Sequence, residues 1–88
     1  METKVTIINK LGLHARAAAK FVTLATKFDC EIFLQKDKQK VNGKSIMGVM
    51  MLAASQGSTL DIEVSGDDET EALLALEELI NNRFGEEL

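Results

Sequence analysis

Leu60-Asp61-Ile62-Glu63-Val64-Ser65-Gly66 is the stretch from which the fold of this chain is read. Leu60, Ile62 and Val64 alternate with Asp61, Glu63 and Ser65, the pattern of a strand with one face buried and one wet, and Gly66 ends it. Directly after it, Asp67 to Glu71 put negative charge in the first turn of a helix, where the macrodipole favours it, and Ala72, Leu73, Leu76, Leu79 and Ile80 supply its buried face. Working back, residues 45–54 predict a short helix. Ser45 suits an N-cap, Ile46, Met47, Val49, Met50 and Leu52 follow without strand alternation, and Gln56-Gly57-Ser58 ends the element. Earlier still, Cys30, Ile32 and Leu34 alternate with Glu31, Phe33 and Gln35 as a strand, and Asp37-Lys38 turns into a short strand ending near Asn42-Gly43. Phe33 falls on the polar side of that alternation, and the sequence does not explain it.

Ala18, Phe21, Val22, Ala25 and Phe28 have helical spacing over residues 15–28. A β-branched run over residues 3–8 places Val5 and Ile7 on one face of a first strand, and Asn9 to Leu13 form the turn between the two. The order β-α-β-β-α-β-α predicts an α+β open-faced sandwich, a four-stranded antiparallel sheet with helices packed on one face. With no proline and no internal repeat, residues 1–88 read as a single domain.

Composition removes several functions. Fourteen acidic against ten basic residues leave a net charge of -4, which repels a phosphate backbone, so nucleic acid is not an expected partner. One cysteine, Cys30, excludes an intramolecular disulfide, and its place in a strand alternation reads as a small buried hydrophobe. Neither a signal pattern nor an apolar run long enough for membrane insertion is present, so a cytoplasmic protein is expected. The acids concentrate after Gly66 and the lysines in the first half, which predicts a basic side carrying His14 and an acidic side opposite.

The chemistry converges on Leu11-Gly12-Leu13-His14-Ala15-Arg16-Ala17-Ala18-Ala19, where the one histidine stands at the junction of turn and helix. Imidazoles as a class titrate near pH 6.5, so a large fraction of such groups is neutral and nucleophilic near pH 7. A helix start offers free backbone N–H groups to an anion, and Arg16 adds a fixed charge with planar donors. The reading is a histidine that accepts a phosphoryl group and passes it on, with no metal and no cofactor. Arg16 is disfavoured by the helix dipole at that end, which makes a ligand-related reason for it more plausible.

Leu13-His14-Ala15-Arg16 before a small-residue helix, with Lys44-Ser45-Ile46-Met47-Gly48-Val49-Met50 in the second helix, resembles the histidine-containing phosphocarrier family HPr, over essentially the whole chain. The resemblance implies a carrier that is not itself an enzyme. Such a carrier takes a phosphoryl group from enzyme I of the bacterial phosphoenolpyruvate-dependent phosphotransferase system and delivers it to IIA proteins, for sugar uptake or, in a sister branch, nitrogen-related regulation. By position it implies His14 as the phosphorylated residue, attacked through Nδ1, and Arg16 as the group that neutralises the phosphoryl. Ser45 matches a serine that some bacteria phosphorylate, with a serine kinase/phosphorylase and regulators as further partners. Met47 and Met50 fall where the family presents apolar contacts, and Ala17, Lys20, Lys27 and Lys44 complete the expected partner-binding surface of a monomer. One departure is plain: Ala17 stands where the family usually has proline, which restores a backbone N–H and loosens the chain beside His14.

Other patterns weigh less. Gly43-Lys44-Ser45 imitates the tail of a nucleotide-binding P-loop, but the glycine that motif needs is here Lys38. The acidic run Asp67 to Glu71 lacks the alternating ligands and spaced glycine of a cation loop. The competing function is a regulatory protein-binding module whose phosphorylation state is the signal. His14 favours carriage, because a pure binder has no need of it.

Overall fold

A computed structural model of the chain describes residues 1–87. The elements are β1 (Glu2–Thr6), α1 (Ala15–Ala25), β2 (Glu31–Lys36), β3 (Gln39–Asn42), α2 (Ile46–Met51), β4 (Thr59–Ser65) and α3 (Glu69–Asn81), followed by a tight turn over Arg83–Gly85. The four strands form one antiparallel sheet in the order β1-β4-β2-β3. β4 lies inside the sheet between β1 and β2, and its alternation separates the faces: Leu60, Ile62 and Val64 are buried, while Asp61 and Glu63 face outward. Val5, Ile32 and Leu34 share the inner face, and Ala18, Phe21, Val22, Leu73, Leu76 and Ile80 from α1 and α3 pack in the same core. Small residues at 17, 18 and 25, all fully buried, let α1 lie close against its neighbours.

Several predicted boundaries move, each for a local reason. Helix α1 ends at Ala25 rather than at residue 28, and the amides of Lys27 and Phe28 turn back to the carbonyls of Leu24 and Ala25. Helix α2 stops at Met51, before Gln56-Gly57-Ser58. Ala53 takes a left-handed φ of 48°, and Lys36 Nζ lies 3.4 and 3.5 Å from the carbonyls of Leu52 and Ala53, satisfying the helix end. Asp67 lies outside α3 altogether, and Asp68 occupies the N-cap without capping it. Its carboxylate instead accepts from the backbone N–H groups of Asp29 and Cys30 at 2.8 and 2.9 Å. Those bonds, that from Asp29 foremost, hold the Asp68 carboxyl below the usual carboxylate range. They tie the β2 entry to the start of α3. Burial pushes the Cys30 thiol up, consistent with an inert core residue.

The outer face of the sheet accounts for Phe33. Lys40 Nζ lies 5.0 Å from its ring centroid while pairing with Glu63, so the aromatic ring forms the floor of a cross-strand ion pair. Lys4 and Asp61 pair at 2.8 Å on the same face. The sheet sets Asp61 of β4 beside Lys4 of β1, and Glu63 of β4 reaches Lys40 of β3 across Phe33 on the intervening β2. The predicted division into a basic side carrying His14 and an acidic side fails at the site itself, where Glu86, one of the acids after Gly66, lies against His14.

Ser45 is the N-cap of α2, its Oγ accepting from the Gly48 N–H at 3.0 Å. Ser45→Ala is expected to lower stability by about 1 kcal/mol, measurable by urea unfolding. A loss below a few tenths would show that α2 is held by packing alone.

Candidate functional site

The loop from β1 to α1 is built to present His14. Gly12 adopts φ +68°, and its N–H reaches back to the Asn9 carbonyl at 3.2 Å, while Leu13 N–H donates to the Ala54 carbonyl at 2.8 Å beyond α2. Leu13 is thereby buried, and the next residue, His14, becomes the N-cap of α1 with extended backbone angles. Its carbonyl accepts from Ala18 N–H at 2.8 Å, closing the first helical turn. No side chain caps this end and no acidic residue lies in the first turn, so the N–H groups of Ala15, Arg16 and Ala17 have no intrahelical partner. Arg16 is exposed and forms no ion pair among the described residues.

His14 keeps 28% of its side-chain surface exposed. Its Nε2 pairs with Glu86 Oε2, and its Nδ1 takes no hydrogen bond among the described residues. A carboxylate only accepts, so in the neutral ring this contact puts the proton on Nε2 and leaves the lone pair on Nδ1. The Glu86 carboxylate is fixed from its other oxygen by Asn9 Nδ2 at 2.9 Å. The bond from Asn9, then that from His14, holds the Glu86 carboxyl below its ordinary value of 4.5.

Glu86 reaches this place through a turn that helical and strand periodicity does not reveal. Arg83, Phe84 and Gly85 all have positive φ (56°, 54° and 78°), an unfavourable run for the first two. Burial of Phe84 to 1% exposure offsets it by anchoring the segment on the core. Lys20 Nζ adds a hydrogen bond to the Phe84 carbonyl at 2.7 Å. In the sequence Glu86 is one of the acids after Gly66 and Asn9 opens a turn. The isolated Phe84 beyond the last apolar stripe was the one available signal that the chain folds back.

A shallow, open depression beside the ring is lined by Lys10, Leu11, His14, Arg16, Glu86 and Glu87. Leu11 in that lining is exposed, and α2 exposes Ile46, Met47, Met50 and Met51, Met47 at 75%. The sequence-predicted contact residues separate into three groups. Met47, Met50 and Lys27 are exposed. Ala17 is fully buried, so its side chain offers nothing to a partner: the helical stripe that begins at residue 17 faces the core. Lys20 and Lys44 are tied to backbone carbonyls, Lys44 Nζ to that of Phe28 at 2.7 Å, and are not free rim charges.

Because the Glu86 carboxyl is shifted downward, its contribution to stability is complete above pH 4.5 and is lost as pH falls through the lowered value. Glu86→Gln is expected to make unfolding free energy fall less steeply between pH 5 and pH 3, as read by urea titrations at each pH. Parallel curves for the two proteins would refute the link.

An open-faced sandwich carrying a histidine and an arginine at a bare helix start, without an enclosed pocket around them, has the build of a small phosphocarrier protein. A family profile described as the PTS HPr component phosphorylation site matches residues 1–82. The phosphocarrier protein HPr of Pseudomonas aeruginosa is 57% identical over 84 residues, covering 94% of this chain and 93% of that protein. The crystal structure of HPr from Thermoanaerobacter tengcongensis superposes with a TM-score of 0.96 at 53% identity, covering 100% of this chain and 99% of that one. Crh of Bacillus subtilis, described as a catabolite repression protein and seen as a swapped, intertwined dimer, gives a TM-score of 0.76 at 46% identity, over 91% and 92% of the two chains. The chain belongs to the HPr family, the phosphocarrier proteins of the phosphotransferase system.

Proposed function

We propose that this chain, acting as a cytoplasmic monomer, accepts a phosphoryl group on His14 Nδ1 from phosphorylated enzyme I and donates it to IIA proteins, in sugar uptake or nitrogen-related regulation. The observation that carries the reading is an uncapped helix start beside a His14 Nδ1 and an Arg16 that have no partner among the described residues. The Nδ1 lone pair attacks phosphorus in line, the new P–N bond forming as the bond to the donor's imidazole nitrogen breaks. Nε2 keeps its proton, turned toward Glu86, so the positive charge that develops on the ring is stabilised. The donor ring, with a proton on its other nitrogen, leaves neutral, and no proton crosses between the proteins.

Arg16 and the helix N–H groups hold the phosphoryl oxygens. The Glu86 and Glu87 carboxylates nearby keep that hold weak, which suits a carrier that must let go. Met47 and Met50, with Leu11, form the apolar centre of a small transient interface, and the exposed Lys27 is a cation for its rim. Ser45, at the edge of that patch, is the site for a regulatory kinase. About two added negative charges there would oppose docking by electrostatics more than by refolding.

The test is intact mass after incubation with phosphoenolpyruvate and enzyme I, followed by addition of a IIA protein. One acid-labile phosphoryl group that then moves to IIA supports the carrier, and no uptake refutes it. The second reading, a regulatory protein-binding module, draws on the likeness to Crh, described as a catabolite repression protein. It is favoured if the group loads but does not transfer onward, while loading changes affinity for a regulator.

A further inference from the structure

Asn9 is the one fully buried polar side chain among the described residues, with 0% of its surface exposed. Ile7 and Leu13, on either side of it in the chain, are buried hydrophobes, so burial alone would be served by an apolar side chain. The position instead holds an amide whose Nδ2 donates to the Gly12 carbonyl at 2.9 Å and to Glu86 Oε1 at 2.9 Å, while its Oδ1 is buried without a partner. A buried orphan acceptor is unfavourable, so whatever this residue contributes lies on its donor side.

Both donor contacts lead to His14. The Gly12 carbonyl belongs to the turn that delivers the ring, and Glu86 bridges the amide to Nε2. We infer that Asn9 is a positioning residue for phosphoryl transfer: its amide pins the Glu86 carboxylate against Nε2 of His14 and so fixes the tautomer that leaves Nδ1 free to react. This rests on the reading of His14 as the phosphoryl acceptor. The amide is chemically suited to the task, because two N–H bonds on one nitrogen reach the turn and the carboxylate together. An aspartate there has no donor at neutral pH and sets a second negative charge against Glu86. Carboxylates that orient a reactive imidazole through its second nitrogen act in this way in other sites.

The experiment uses the full chain labelled with 15N and reads the ring nitrogens of His14 with the ring neutral, alongside the rate of phosphoryl uptake from enzyme I. Wild type is expected to show the Nε2–H tautomer in excess. Asn9→Ala is expected to mix in the Nδ1–H tautomer and slow uptake about tenfold, the scale on which removing an orienting partner acts. Glu86→Ala should do the same, and the double variant should be no slower than either single one. Asn9→Asp should do no better than Asn9→Ala. An unchanged tautomer ratio in Asn9→Ala, or rate losses that multiply in the double variant, overturns the inference.

Should Asn9→Ala fail to fold, Glu86→Ala decides with Asn9 in place. The side-chain amide proton of Asn9 facing residue 86 must then shift and exchange faster, and an unchanged signal overturns the clasp. Failure of the carrier reading is distinguishable, since it appears as no uptake by wild type, while the tautomer ratio is measured on the unphosphorylated chain.

Discussion

Replacing His14 by alanine is expected to abolish uptake of the phosphoryl group from enzyme I while leaving the protein folded. The expected loss is complete because no other side chain at the helix start offers a nucleophilic nitrogen: Arg16 stays protonated and its neighbours Ala15 and Ala17 are inert. Stability should change by no more than about 1 kcal/mol, because the ring is partly exposed and contributes one hydrogen bond, to a carboxylate that Asn9 still holds. Intact mass of the variant after incubation with phosphoenolpyruvate and enzyme I, with a urea titration beside it, checks both halves. A phosphoryl group that still loads and survives acid would point to a hydroxyl such as Ser45. One that loads and is acid-labile would mean a different nitrogen is the acceptor. Either result defeats the assignment of His14.

The sequence made the scaffold legible because the sheet is open. A strand with one wet face must alternate, so β4 announces itself, and the helices that cover the dry face must carry apolar stripes. The histidine at the start of α1 and the serine at the start of α2 were legible for a similar reason, since both are set by local rules of helix entry. What escaped was set by contacts distant in sequence. Glu86 meets His14 across 72 residues and Asn9 across 77, and no periodicity links such positions. The segment that delivers Glu86 runs through left-handed angles at Arg83 and Phe84, where sequence rules would look for glycine or asparagine. Charge distribution failed for the same reason: acids clustered late in the chain were expected away from His14, and the fold-back after α3 brings Glu86 and Glu87 to it. Ala17 was misread because its motif position was taken for its orientation, whereas the first turn of α1 has already rotated it into the core.

Gly12→Ala is expected to cost about 3 kcal/mol of stability, combining a left-handed residue other than glycine with an overpacked contact. For a domain of this size that is a fall in Tm of about 12–24 °C. A Cβ at position 12 would lie 2.5 Å from the Ala54 carbonyl oxygen and 2.9 Å from Ser55 Cα, and backbone atoms cannot rotate aside as a flexible side chain can. The contact is also the one that joins the loop before α1 to the loop after α2, through the Leu13 N–H to Ala54 bond. Forcing it apart should separate His14 from the Met47 and Met50 patch and slacken the Asn9 bond to the Gly12 carbonyl. Phosphoryl uptake should therefore fall even at temperatures where the variant is fully folded. Gly57→Ala supplies the control: φ there is +92°, but a Cβ meets nothing within 4 Å, so only the backbone conformation is taxed. It should lose about 1 kcal/mol and keep wild-type uptake. Equal losses in the two variants would mean that left-handed strain explains both, and that the close approach at Ala54 does not organise the site.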